Sequence, residues 1–294
     1  MIMAIFHFHC DMISRGKGKS AVAGAAYISR EKLKNEYNDI VFDYRYKKSD
    51  LQHTEIMLPA HAPSEYADRY TLWNAVEKIE KAVDSQLARD IDIALPKELS
   101  LEENLKLVKE FCQANFVNRG MCVDFAIHDK GDDNPHVHVM LTTRKINPNG
   151  EWDDKEKKVY ALDENGERIP VIDEATGQQK IGAKNRKMWK RIKVKNNDWN
   201  DRDNVSLWRE AWANVANKYL EQNGFNEQID HRSYEEQGLD KIPTVHLGYA
   251  ACEMRSLGER SEKWAYNASV KAANSEIAKY EAVIKEKSPN AECC

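Results

Sequence analysis

The stretch that most constrains this chain is NPHVHVML at residues 134–141. Side chains of a strand alternate between its two faces, so His136 and His138 share one face and Val137, Val139 and Leu141 share the other. Such a strand belongs to a sheet with a packed core on one side and imidazoles on the other. Just upstream, MCVDFAIHD (121–129) has the composition of a second strand and ends with His128, and KGDDNP between the two runs is rich in turn formers. Folding the chain there pairs the runs as an antiparallel hairpin and brings His128 beside His136 and His138.

The rest of the chain mixes strands and helices. Residues 3–13 alternate as a strand with His7 and His9 on one face, and SRGKGKS (14–20) is a basic, Gly-rich turn. Ser20 is placed to cap a helix through AVAGAAYISREKL, residues 21–33. Residues 37–48 are aromatic and basic and read as a hairpin or loop, 53–59 as a short strand, and 64–88 as a helix. ARDIDIALP (88–96) alternates, with Ile91, Ile93 and Leu95 inward and Asp90 and Asp92 opposite. Ser100 and Glu103 have capping-box spacing for a helix to about 118. Residues 147–182 are a polar, Gly-rich insertion, 204–223 a helix, 230–248 irregular, and 259–287 a polar helix. The expected class is α+β: a central antiparallel sheet with helices packed on it and a C-terminal helical extension. One large domain is expected over 1–250, and an extension or linker over 251–294.

Charged residues make up 31% and mean hydropathy is -0.73, the pattern of a soluble protein. No run approaches the roughly 18 apolar residues that a membrane helix needs, and the N-terminus lacks the basic region and cleavage site of a signal peptide. Six cysteines without a C-x-x-C pair read as reduced thiols, so the expected location is the cytoplasm, with no membrane partner. The net charge of -4 argues weakly against nucleic acid, but it hides a patch. From Lys180 to Arg202 nine basic residues stand against Asp198 and Asp201, with Trp189 and Trp199 among them. Basic groups interleaved with aromatics suit phosphates and unstacked bases, although a lone charge run is more often a solvated loop.

Three converging imidazoles form a metal site with coordination positions left open, as a catalytic ion requires. Asp129, Asp132 and Asp133 lie where they could orient these ligands. The HFH at 7–9 has the same form as HVH but no third histidine nearby, so His7 is a lining residue rather than a ligand. Tyr27 follows Ala21, Ala23, Gly24, Ala25 and Ala26, small residues that let a bulky substrate come close, and Arg15, Lys17, Lys19 and Arg30 flank it. A phenol, with pKa near 10, is a poor nucleophile until a metal or base assists it. Packing on the sheet is the plain alternative for Tyr27.

Taken together these stretches resemble the MobA/MobL (MobQ-class) relaxases of the His-hydrophobe-His (HUH) endonuclease superfamily. The resemblance lies in ISRGKGKSAVAGAAYISREKL, ARDIDIALPKELS, HDKGDDNPHVHVMLTTR, NDWNDRDNVSLWREAWANVANKYLE and DHRSYEEQGLDKIPTVHLG, in that order over most of 3–248. It implies metal-dependent nicking and rejoining of one DNA strand at a plasmid transfer origin, through a covalent 5′-phosphotyrosine. Tyr27 is then the nucleophile and His128, His136 and His138 the ligands of Mn²⁺ or Mg²⁺. Three imidazoles favour Mn²⁺ and other transition metals over Mg²⁺. The family often carries a glutamate where this chain has Asp90 and Asp92, so Asp92 is the candidate proton acceptor or ligand-orienting group. Phosphate contacts are expected from Lys17, Lys19, Arg144, Lys145, Arg186, Lys187, Lys190 and Arg191. Implied partners are single-stranded and hairpin DNA of the transfer origin, with accessory relaxosome and coupling proteins. A rolling-circle replication initiator, or a sequence-specific DNA-binding protein with a structural metal, are the competing readings.

Overall fold

A computed structural model describes residues 6–131, 134–245 and 261–287. Residues Met1–Asp230 form one compact unit and His231–Cys294 a second.

The first unit is organised by a five-stranded antiparallel sheet. In chain order its strands are β1 (Phe8–Ser14), β4 (Leu51–Met57), β5 (Gln86–Ala94), β6 (Val123–His128) and β7 (His136–Thr142). In space they run β1-β5-β7-β6-β4, so the β6–β7 hairpin is flanked on both sides. That position explains why every residue of β6 is buried, including Asp124 and His128. The sheet is covered on both faces. On one, Ile91, Ile93, Phe125, Ile127, Val137, Val139 and Leu141 pack against α3 (Leu101–Asn115) and α4 (Asp203–Gln222) through Leu107, Phe111, Trp208 and Trp212. On the other, Ile13, Ala88, Ala126 and Met140 pack against α1 (Ala21–Ser29) and α2 (Arg69–Ile79). The small residues of α1 allow it to lie close: a methyl group at Gly24 would stand 2.9 Å from Ile13 Cδ1.

The second face also buries charge, and the charge is paired. Asp124 accepts from Arg69 Nε and Nη2 at 2.8 Å and from Trp73 Nε1 at 2.8 Å. Buried polar groups persist when hydrogen-bonded in this way.

Several expected boundaries move. Ser20 caps α1 by accepting from Ala23 N, but the helix stops at Ser29 rather than at 33, because Arg30 turns left-handed (φ 56). Residues 32–34 become β2, paired with β3 (Val41–Asp43). The helix expected over 64–88 is a 3₁₀ turn, Ser64–Ala67, followed by α2, which Asp68 caps; Val83 is 79% exposed and Leu87 belongs to β5. Ser100 caps α3, yet the Glu103 carboxylate meets Lys106 Nζ at 3.1 Å. The insertion is an ordered ribbon of hairpins: β8 (Glu156–Tyr160) pairs with β11 (Arg191–Lys195), and β9 (Ile181–Gly182) with β10 (Arg186–Lys187). Residues 3–5 of the expected first strand, Asp132, Asp133 and 246–260 lie outside the described residues.

In the second unit, α5 (Glu262–Lys287) presents Asn267 and Asn274 two turns apart, and their amides bond the backbone of Val245 and Ile242. Among the described residues no helix is long and apolar enough to cross a membrane.

Candidate active site

Strand register brings the three histidines together. His128 ends β6 directly opposite His136, and His138 lies opposite Ala126 and beside Asp92 of β5. Ring centroids are 4.9, 5.1 and 5.5 Å apart, and one nitrogen from each ring falls within 4.8 Å of the others. Opposed pairs on one face of a sheet are expected at this spacing. Among the described residues this is the group of histidines, cysteines and carboxylates able to hold a metal ion.

The rings are held from behind. A carbonyl oxygen can only accept, so His128 Nε2–H donates to Ile28 O (2.7 Å) and His136 Nδ1–H donates to Asn134 O (2.9 Å). His138 Nδ1 stands 3.9 Å from Asp92 Oδ1, a charge contact rather than a hydrogen bond. Metal-bound imidazoles are ordinarily fixed by such outer partners, which decide the tautomer. Burial pushes His128 down to about 3, helped by the neighbouring His138. Burial likewise pushes His138 down to about 4, against the pull of Asp92. Both rings are therefore neutral near pH 7, the form whose lone pair binds a metal. With Nδ1 engaged by Asn134 O, His136 offers Nε2. On His128 the remaining nitrogen, Nδ1, faces Arg30 Nη2 at 3.2 Å, so a cation bound there replaces that hydrogen bond. The donor set fits a three-imidazole site on that condition.

Tyr27 sits on the last turn of α1, half-buried, with its ring 5.9 Å from that of His138. Arg30, three residues on, turns back under it. Its guanidinium lies 4.5 Å from the Tyr27 ring centroid, donates to Tyr27 O, and pairs with Asp50 through Nε and Nη2 at 2.9 Å. Arg30 thus joins the phenol to the metal-ligand cluster, while Asp50 balances its buried charge. Asp50 carried no signal in the sequence; only β4 pairing, which sets Leu51 opposite His128, explains its place.

The carboxylates follow the same rungs. Asp92 pairs with His9 on one side and His138 on the other, and Asp90 pairs with Asp11 and Met140. Asp90 Oδ1 is enclosed without a hydrogen-bond partner. Burial, and then the charge of Asp92, push Asp90 up to about 6. His7 lies two residues beyond His9, just before β1, its carbonyl accepting from Ala94 N at 3.1 Å.

The basic residues are not gathered at one place. Lys17 and Lys19 flank Asp11, at 3.8 and 2.6 Å. Arg144 is only 15% exposed and is held by Glu80 at 2.8 Å and by Asp153 O, and Lys145 lies 5.9 Å from the Trp199 ring. Arg15, too, is anchored inward, to Glu77 and to carbonyls at the end of α2. Arg186, Lys187, Lys190 and Arg191 are exposed on the ribbon. There β8 and β11 set Lys158 opposite Lys193 and Tyr160 opposite Arg191, with Arg168 4.1 Å from the Tyr160 ring. Lys158 and Arg168 were not singled out in the sequence, because face-sharing on the ribbon depends on register; Lys193 belongs to the basic 180–202 patch.

Known proteins supply an independent comparison. The MobA/MobL family model matches residues 19–256. A probable mobilization protein MobA of Bifidobacterium longum is 36% identical over 275 residues, covering 92% of this chain and 48% of that protein. Conjugal transfer protein TraA of Agrobacterium fabrum is 36% identical over 259 residues, covering 85% of this chain and 22% of TraA. The chain therefore spans about half and about a fifth of these two relatives. A solved structure described as the molecular basis of vancomycin resistance transfer in Staphylococcus aureus superposes with TM-score 0.63 and 32% identity, covering 79% of this chain and all of that one. With a family model matched across most of its length, the chain belongs to the MobA/MobL family.

Proposed function

We propose that this chain is the strand-transferase part of a conjugative relaxase, nicking and rejoining one DNA strand at a plasmid transfer origin. The observation that carries the reading is the Tyr27 ring 5.9 Å from that of His138, within a cluster of three converging imidazoles. The mobilization and conjugal-transfer relatives support the same role.

The Tyr27 hydroxyl attacks the scissile phosphorus as the bond to the 3′ oxygen breaks opposite it. The products are a 5′-phosphotyrosine and a free 3′ hydroxyl, which reverses the step by attacking the same phosphorus. The phenolic proton passes to a carboxylate, for which Asp92, beside His138, is the candidate. His128, His136 and His138 would hold a divalent ion, Mn²⁺ or Mg²⁺, which supplies positive charge to the phosphate oxygens. Arg30 adds a fixed positive charge next to the phenol. The covalent link stores the phosphodiester's energy, so rejoining needs no nucleotide triphosphate.

A two-stranded ribbon fits the major groove of duplex DNA, and the Lys158/Lys193 and Tyr160/Arg191 face suits the hairpin arm of an origin. Lys17, Lys19, Lys145, Arg186, Lys187 and Lys190 are further phosphate contacts in this reading. Arg144 serves it less well, being tied to Glu80. Such a protein works in the bacterial cytoplasm with accessory relaxosome and coupling proteins. The test is single-turnover cleavage of a single-stranded transfer-origin oligonucleotide with Mn²⁺. Tyr27→Phe should bind the oligonucleotide with parental affinity and leave it uncut. Cleavage by Tyr27→Phe at the parental rate refutes the assignment.

A further inference from the structure

The segment YRYKK at 44–48 has no part in the chemistry above, yet it lies against the nucleophile. After β3 the chain winds into a short 3₁₀ helix of about two turns, Arg45–Asp50, whose last residue is the partner of Arg30. This fixes the aromatic side chains relative to α1. The Tyr44 ring meets the Tyr27 ring edge-on, centroids 5.4 Å apart, and Tyr46 lies 6.4 Å beyond Tyr44. Lys47 Nζ is 5.4 Å from the centroid of Tyr27 and 5.7 Å from that of Tyr46. Three rings thus step outward from the phenol to solvent, with an ammonium between the first and the last.

Packing accounts for Tyr44, which is half-buried against the α1 cluster. It does not account for Tyr46, which is 74% exposed. A large ring left in water at the edge of a site is informative in a way that an exposed small apolar residue is not. Its surroundings select the occupant. Lys47 Nζ stands over its ring, Arg45 and Lys48 are exposed close by in the chain, and Arg45 is partly neutralised by Asp43 at 2.7 Å. An aromatic face with adjacent ammonium groups matches an unpaired base and its phosphate; bases in a duplex have no free face to offer.

We propose that Tyr46, backed by Tyr44 and Lys47, is a stacking platform for an unpaired base next to the scissile phosphate. The inference rests on the nicking role assigned to Tyr27 and extends it to the substrate. Stacking on Tyr46 anchors the strand beside the nucleophile, and Lys47 contacts a neighbouring phosphate. Because every base has a π face, the platform tolerates sequence and favours single strands.

The test compares the full chain with Tyr46→Ala, Tyr46→Trp and Lys47→Ala. Affinities for a labelled oligothymidylate and for a duplex of equal length are measured by anisotropy across a salt series. Tyr46→Ala should weaken single-strand binding by about 5- to 150-fold, the range for loss of one stacked base. Tyr46→Trp should retain it, and duplex binding and thermal midpoint should stay parental. Lys47→Ala should lower the single-strand salt slope by about 0.7. Equal single-strand affinity of Tyr46→Ala and the parent overturns the platform, and continued Tyr27 adduct formation then leaves the nicking role standing. Equal weakening toward both DNA forms also overturns it. A parent that forms no adduct, with Tyr46→Ala still selectively weakened, keeps the platform and removes the nicking role.

Discussion

Asp90→Asn should make the protein more stable, and only above a definite pH. The Asp90 carboxyl has one oxygen enclosed without a hydrogen bond, and burial and Asp92 raise its pKa from 3.8 to about 6. Holding the proton that much more tightly corresponds to about 3 kcal/mol of penalty on the ionised form. The residue is not wholly buried, so about 2 kcal/mol is the better expectation. The folded state holds the proton more tightly than the unfolded state, so the penalty is full above pH 6 and gone below about pH 3.8. Removing the charge therefore stabilises at pH 8 by about 2 kcal/mol, roughly 4–8 °C in Tm for a protein of this size. At pH 4 the gain should be under about 1 kcal/mol. Urea unfolding of the parent and Asp90→Asn, followed by tryptophan fluorescence at both pH values, measures it. An Asn variant less stable than the parent at pH 8, or a gain that is the same at both pH values, refutes the reasoning.

Other outcomes follow from the same geometry. Saturating Mn²⁺ should raise the parental Tm, since a ligand at 100 times its Kd contributes about 2.7 kcal/mol, and His138→Ala should abolish the rise. Calorimetry should show the same loss of binding. Asp50→Ala leaves Arg30 buried without its counter-ion and should destabilise by about 3–5 kcal/mol in urea unfolding. The double change Arg30→Met, Asp50→Leu should recover most of that. Lys193→Ala on the ribbon should reduce the salt slope of duplex binding by about 0.9 and leave short single strands unaffected.

Much of this was legible in the sequence because it depends on local pattern. The β6–β7 hairpin shows in two alternating runs around a Gly-Asp-Pro turn, and that hairpin alone brings His128 opposite His136. Ser20 and Ser100 announced their caps for the same reason. What stayed hidden depends on non-local register or on a single backbone angle. The left-handed Arg30 ends α1 four residues early, and nothing in YISREKL signals it. Helical periodicity ran past Ile79 because Val83 and Leu87 happen to continue the spacing, although one is exposed and the other is a strand residue. Arg144 looked like a free cation until folding set Glu80 beside it. Asp50 and Tyr46 acquire meaning only once β4 and the turn before it are docked against α1.

In the proposed reaction the phenol oxygen of Tyr27 becomes esterified to DNA. The direct measurement is to incubate the protein with single-stranded transfer-origin DNA and Mn²⁺, denature it, digest it, and locate the nucleotide-bearing peptide by mass spectrometry. A 5′-phosphodeoxynucleotide on the peptide containing Tyr27, absent when the metal is chelated, is the predicted result. A cut strand whose 5′ phosphate is linked to another residue, or to none, would contradict it.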